Sequence, residues 1–218
     1  MGWIERCYEV YEKNLGEVGK PSYRGNREAP VLLPVAHTPQ KAQVEVSLSD
    51  AGEFLSARVL RPDEATTVIP CTEESGSRTS GFVPHPLADK LQYTAGDYLA
   101  FGGHKDSKYS EYVSQLEGWC ASEYGSGKLR AVLAYVRKGT LVSDLVSYRV
   151  LVTGEDGKLV TNWKKYSGEA PAIAPLLADE TECFVRWSVG GTPLYEDGKT
   201  RQDWADYYTS QFSDIGTC

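Results

Sequence analysis

"AQVEVSLSDAGEFLSARVL" (residues 42–60) decides the fold class. Val44, Val46 and Leu48 alternate with Glu45 and Ser47, the two-residue period of a strand with one buried face. Ser49-Asp50-Ala51-Gly52 is turn chemistry, and "EFLSARVL" resumes the extended pattern after it. The stretch therefore predicts an antiparallel hairpin. "ATTVIPC" (65–71) predicts a third short strand. "TECFVRWSVGG" (181–191) predicts another, with Cys183, Val185, Trp187 and Val189 turned inward.

On either side of these strands the apolar period lengthens to that of a helix. Residues 108–123 place Tyr109, Tyr112, Val113, Leu116, Trp119 and Cys120 on one face. "GKLRAVLAYVRKGTL" (127–141) reads as a second helix. "GKTRQDWADYYTSQF" (198–212) reads as a third, in which Trp204, Tyr208 and Phe212 stack at i,i+4. Residues 3–15 form an amphipathic helix on Ile4, Tyr8, Tyr11 and Leu15. "KPSYRGNREAP" (20–30) reads as loop, and "VLLPVAHTPQ" (31–40) as apolar and then turn-like around Pro34 and Pro39. "VSYRVLVTG" (146–154) alternates like a strand and runs into "EDGK", a hairpin turn by composition. Strands and helices in mixed order with hairpins give an α+β class, expected as a single domain over residues 1–218.

The chain carries 23 Lys and Arg against 30 Asp and Glu, a net charge of −7 that by itself disfavours nucleic acid. Residues 128–165 depart from this. They hold eight basic residues against three acidic ones, a net +5, which leaves 15 against 27, or −12, for the remainder. Such segregation attracts a polyanion locally, or it simply reflects solvated faces of helices and strands. Five cysteines without a C-x-x-C pair argue against a zinc knuckle and a disulfide framework, and for reduced thiols in a cytosolic protein. Cys7, Cys120 and Cys183 lie in apolar patterns as small core residues. The first residues lack the apolar centre of a signal peptide, and no apolar run approaches the roughly 18 residues that span a bilayer, so no membrane is expected.

Catalytic constellations are sparse. None of His37, His85 and His104 has a His or Cys three or four residues on, so no metal site is expected. His85 and Asp89, four apart, are half of an acid/base or metal site and more simply a satisfied pair. There is no G-x-S-x-G elbow and no P-loop. "FGGHKDSK" (101–108) is a Gly-rich turn before a helix, with Asp106 or Ser107 as its cap, and a weak anion site through Lys105 and Lys108. No enzyme and no cofactor are expected. Tyr195, Trp204 and Tyr207, if exposed together, would instead anchor a protein partner.

"GSRTSGFVPHPLADKLQY" (76–93) is the most unusual stretch. Arg78 stands among Ser75, Ser77, Thr79 and Ser80, with Gly76 and Gly81 on either side. Its fork fits a phosphate or a guanine edge, and short hydroxyls suit phosphate contacts. Pro84 and Pro86 stiffen the exit, which lowers the ordering cost of binding. The alternative on these residues is that Arg78 pairs with Glu73, Glu74 or Asp89 and closes the loop.

"LLPVAHTPQKAQVEVSLSDAGEFLSARVL" (32–60), "IPCTEESGSRTSGFVPHPLADKLQY" (69–93), "FVRWSVGG" (184–191) and "DWADYY" (203–208) together resemble the amino-terminal part of the large-subunit family of subtype I-C CRISPR surveillance complexes. The "RTSG…PHPLADK" block is the most specific of these. The resemblance implies a domain of a longer subunit that runs on past Cys218, in the cytoplasm of a prokaryote. It implies a non-catalytic role within an RNA-guided complex that includes other Cas subunits and the CRISPR RNA. There the subunit reads the protospacer-adjacent motif of target duplex DNA, helps open the duplex and helps recruit a helicase-nuclease; pairing with the guide supplies the rest of the specificity. Phage inhibitors are further possible partners. Carried onto this chain, Arg78, Thr79 and Ser80 face DNA and Lys90 meets a phosphate. Gln40 and Lys41 form a second polar block with His37 and Thr38, and Gln40 or Gln43 has the amide that reads an adenine edge. Lys105, Lys108, Arg137, Lys138, Lys164 and Lys165 position the backbone. The competing expectation is a protein–protein scaffold that reads no base.

Overall fold

The structure is a computed structural model that describes residues 6, 10–11, 13–18, 22–24, 27–29, 32–77, 83–160 and 162–213. They belong to two compact units, residues 1–35 and 36–218. In the first unit β1 (Ser22–Arg24) pairs antiparallel with β2 (Arg27–Ala29), Ser22 opposite Ala29. This stretch reads as loop in the sequence because three-residue strands are too short to show a period. Of the helix expected over 3–15, Arg6, Val10, Tyr11 and Lys13 are helical and the rest lies outside the described residues.

The second unit confirms the hairpin. β4 (Val44–Leu48) pairs antiparallel with β5 (Phe54–Val59), with a register irregularity at Ser47/Leu48. β4 also pairs in parallel with β8 (Phe184–Val189), and β8 pairs antiparallel with β7 (Asp89–Lys90) and β9 (Thr192–Pro193). The order is β5-β4-β8-β7, with β9 against β8. β8 is central and buried along its whole length. Cys183, Val185, Trp187 and Val189 do face the main core, as their alternation predicts. The intervening residues are buried as well, because a second layer covers the other face: Phe184 packs there with Ala42, Leu60 and Ile69.

That second layer corrects one expectation. "HTPQK" reads as turn-like but forms β3 (His37–Lys41), paired antiparallel with β6 (Thr66–Pro70) in a separate two-stranded sheet. Pro39 sits opposite Val68. β3 has a single strand neighbour, and a proline is tolerated in an edge strand, where a missing N–H costs no ladder bond.

Three helices cover the main core. α3 (Tyr109–Ala121) buries Tyr112, Leu116, Trp119 and Cys120, and α4 (Gly127–Val136) starts where Ser126 Oγ accepts from Leu129 N at 3.2 Å. The chain turns at Gly139, φ +65°, into α5 (Leu141–Ser147). The strand expected over 146–154 is therefore replaced by a helix end, a turn at Arg149 and one isolated bridge, Thr153 to Leu159. The cause lies far off in sequence: Asp97 accepts from the N–H groups of Val142 and Ser143 at 3.0 and 2.9 Å and caps α5. Burial raises the Asp97 carboxyl above its ordinary value despite these bonds. The short α2 (Leu91–Thr94) follows β7, and α6 (Gly198–Ser213) ends the described chain. On α6, Trp204 stacks on Tyr208 at 5.6 Å and Tyr208 meets Phe212 edge-on at 5.1 Å, as the spacing predicts. Among the described residues no helix is long and apolar enough to cross a membrane.

Candidate nucleic-acid interface

Arg78, Thr79 and Ser80 lie outside the described residues, but both stems of their loop are described. On the entering side β6 gives way to Cys71 and to α1 (Glu73–Ser77). Thr72 and Ser75 cap this helix reciprocally: Ser75 N donates to Thr72 Oγ1 at 3.0 Å, and Thr72 N donates to Ser75 Oγ at 2.9 Å. Gly76 passes close to Cys71: a Cβ there would lie 3.2 Å from its Sγ, tight enough that the thiol would have to shift by a few tenths of an ångström. Burial pushes the Cys71 thiol up to about 11, so it is an inert packing group. The indole N–H of Trp204 donates to Ala36 O at 2.9 Å and to Cys71 O at 3.3 Å, and Tyr208 Oη accepts from Glu73 N at 3.0 Å. Thus α6 holds the entering stem.

The leaving stem is buried from Pro84 to Asp89. Leu87 O accepts from Tyr112 Oη at 2.6 Å and from Trp187 Nε1 at 2.7 Å. Asp89 accepts from His85 N at 2.7 Å and from Lys90 N at 2.8 Å. The bonds favour the simpler reading of His85 and Asp89 as a satisfied pair: the carboxylate folds the backbone of the stem. Among the described residues no three His, Cys, Asp or Glu side chains gather as a metal site. His85 Nδ1 and Ser75 Oγ lie 3.1 Å apart, both residues nearly fully buried. This contact joins the two stems. Removing the Thr72 cap, as Thr72→Ala, is expected to cost about 1 kcal/mol. Urea denaturation measures that cost, and hydrogen exchange should show α1 opening before the sheet does.

The other candidate residues occupy separate places. Gln40 and Lys41 lie on β3, His37 is buried, and Lys41 is exposed at the strand end. Gln43 is committed elsewhere: its amide donates to Lys41 O and accepts from Phe184 N, both at 2.9 Å, clipping β8 to the loop before β4. Lys90 follows the leaving stem and pairs with Glu182 at 2.5 Å. Lys108 N donates to Gln92 O at 2.8 Å, which brings Lys108 and its loop to the same helix, α2, that Lys90 precedes. Lys108 Nζ also pairs with Glu111 at 3.3 Å. The Gly-rich turn of this loop packs on other residues: Gly102 lies against the Lys158 stem and Gly103 against the Tyr98 ring. Lys108 takes the cap position of α3 without a side-chain cap, and Ser107 Oγ accepts from Tyr109 N at 3.3 Å.

Ion pairs reduce the field expected of residues 128–165. Lys128 pairs with Asp197 at 2.8 Å, Arg137 with Glu117 at 2.7 Å, Lys138 with Glu53 at 2.6 Å and Arg149 with Glu169 at 2.6 Å. All four carboxylates lie outside residues 128–165, so a count over that segment does not register them as partners. Lys41, Lys105, Lys164 and Lys165 are exposed and make no ion pair among the described residues, which leaves them the cations most available to phosphate.

The aromatic anchor is also corrected. Trp204 is 1% exposed, Tyr207 is half-buried against Trp119 and Trp204, and the Tyr195 ring lies 3.8 Å from the Arg186 guanidinium. The three do not form one exposed cluster, because Trp204 is used to hold the loop stem.

Comparison with curated proteins returns no match. The family model described as CRISPR-associated protein (Cas_Csd1) matches residues 8–218, nearly the whole chain and every element described above. The chain belongs to the Cas_Csd1 family of CRISPR-associated proteins.

Proposed function

We propose that this chain is a non-catalytic DNA-reading domain of an RNA-guided type I-C interference complex, and that the 78–82 loop reads the protospacer-adjacent motif of duplex DNA. The observation that carries this is the contact of Ser75 with His85, which joins the described residues on either side of 78–82. That contact holds the two described stems, which end at Ser77 and begin again at Val83, to each other, and ends held in this way lower the ordering cost of binding through the segment between them. Lys90, at the foot of the leaving stem, and Lys41, Lys105, Lys164 and Lys165, which have no ion pair among the described residues, supply phosphate contacts. Opening the duplex and recruiting a helicase-nuclease belong to the longer subunit, held by other Cas proteins around the CRISPR RNA in the prokaryotic cytoplasm. Inhibitors made by phages have the same loop as a natural target.

Base and phosphate contacts separate by experiment. Arg78→Ala is expected to cost about 1–3 kcal/mol on the preferred motif and to flatten motif preference. Lys41→Ala should weaken all duplexes alike and reduce the salt slope by about one. Anisotropy titrations of motif-bearing and motif-scrambled duplexes at two salt concentrations measure both. Equal, salt-insensitive losses at both positions would favour a scaffold that reads no base.

A further inference from the structure

A cleft of about 580 Å³ lies between the end of α5 and the segment that contains Tyr166 and Glu169. Its volume falls within the roughly 300–1,000 Å³ of small-ligand pockets. Val146, Leu151 and Ala172 contribute apolar wall, and Tyr166, Arg149 and Glu169 contribute the polar lining. We propose that this cleft takes one unstacked nucleobase of a single-stranded nucleic acid, with the adjoining phosphates on Arg149, Lys164 and Lys165. The inference uses none of the 78–82 loop. It rests on the proposed function only in taking nucleic acid as the ligand.

Three observations point this way. First, Arg149 has φ +57°, a left-handed conformation that residues with side chains adopt at a cost. Its carbonyl accepts from Ala172 N at 2.9 Å, which ties the two walls together. A glycine would fill that backbone role without strain, so the guanidinium is the reason to look for a function there. Its ion pair with Glu169 is about three-quarters exposed on both sides. Such pairs contribute little, and a phosphate can replace the carboxylate.

Second, the Tyr166 ring has a reserved place. A Cβ at Gly168 would come within 2.6 Å of it, so any larger residue there would push the ring out of its present position. The phenol reaches Thr153 O at 3.5 Å, the outer limit of a hydrogen bond, so its proton is weakly held and available to a base edge. A tyrosine on an apolar cleft is a stacking platform indifferent to base identity. Third, Lys164 and Lys165 immediately precede Tyr166, exposed and without an ion pair among the described residues. Cations beside an aromatic ring are the pattern of single-strand binding, and an acidic peptide would have no use for the ring.

The test is anisotropy of a fluorescein-labelled oligothymidylate on this chain, with a 5-iodouracil version for photo-crosslinking. Tyr166→Ala and Arg149→Gly should each weaken binding roughly tenfold, while Tyr166→Phe retains it. Arg149→Gly should melt no lower than wild type, which separates lost binding from lost fold. The crosslink should fall on Tyr166. Absence of binding, affinity unmoved by Tyr166→Ala or Arg149→Gly, a crosslink elsewhere, or equal competition by polyglutamate would each overturn the assignment. Because the probe is single-stranded and carries no motif, its failure leaves the Arg78 duplex experiment untouched, and the reverse also holds.

Discussion

Replacing Arg186 with alanine is expected to lower stability by roughly 3–5 kcal/mol, the cost of breaking one side of a buried ion pair. Arg186 is 2% exposed at the centre of β8. Its Nε and Nη2 both reach Glu45 Oε2 at 3.0 Å. Nη1 donates to Glu64 O at 2.8 Å and Thr67 Oγ1 at 2.9 Å, and the Tyr195 ring covers the guanidinium. One side chain thus joins the main sheet to the β3–β6 layer. Alanine leaves the buried Glu45 with the half-exposed Arg58, 2.8 Å away, as its remaining cation among the described residues, and strips Thr67 and Glu64 of their donor. Arg186→Lys keeps the charge but not the fork, so it should recover only part of the loss. Urea unfolding measures both variants. A loss below about 1 kcal/mol for the alanine variant would mean that the layers hold together without this residue.

Trp204→Ala is expected to cost about 3–5 kcal/mol, the range for truncating a buried tryptophan. The indole packs edge-on against Trp119 at 5.0 Å and stacks on Tyr208. Its N–H also donates to the carbonyls of Ala36, which immediately precedes β3, and of Cys71, which begins the entering stem. The variant should therefore do more than destabilise: α1 amides should exchange faster and motif preference should weaken. Trp204→Phe fills most of the space and restores most of the stability but not the two carbonyl contacts. If Trp204→Phe reads the motif as well as wild type while remaining folded, the indole contacts do not set the loop.

Much of this fold was legible from periodicity. Val44, Val46 and Leu48 placed a strand beside its partner, and the apolar stripes of α3, α4 and α6 placed three helices. What stayed hidden depends on partners distant in sequence. The cap that makes α5 a helix comes from Asp97, and the acceptance of Pro39 in β3 depends on which edge of the strand is free. At the candidate site, Glu73 and Glu74 read as loop but lie in α1, a five-residue helix too short to show an apolar period, and the Ser75–His85 contact joins positions that nothing in the sequence pairs. The positive field of 128–165 was overstated for the same reason: Asp197, Glu117, Glu53 and Glu169 come to it through space.

Motif discrimination by the assembled interference complex, wild type against Arg78→Ala, bears most directly on function. Duplexes differing only in the protospacer-adjacent motif would be titrated onto both. The expected result is strong preference for one motif in wild type and about 1–3 kcal/mol less preference in the variant, with non-specific affinity nearly preserved. Undiminished preference in Arg78→Ala would contradict the assignment of base reading to this loop.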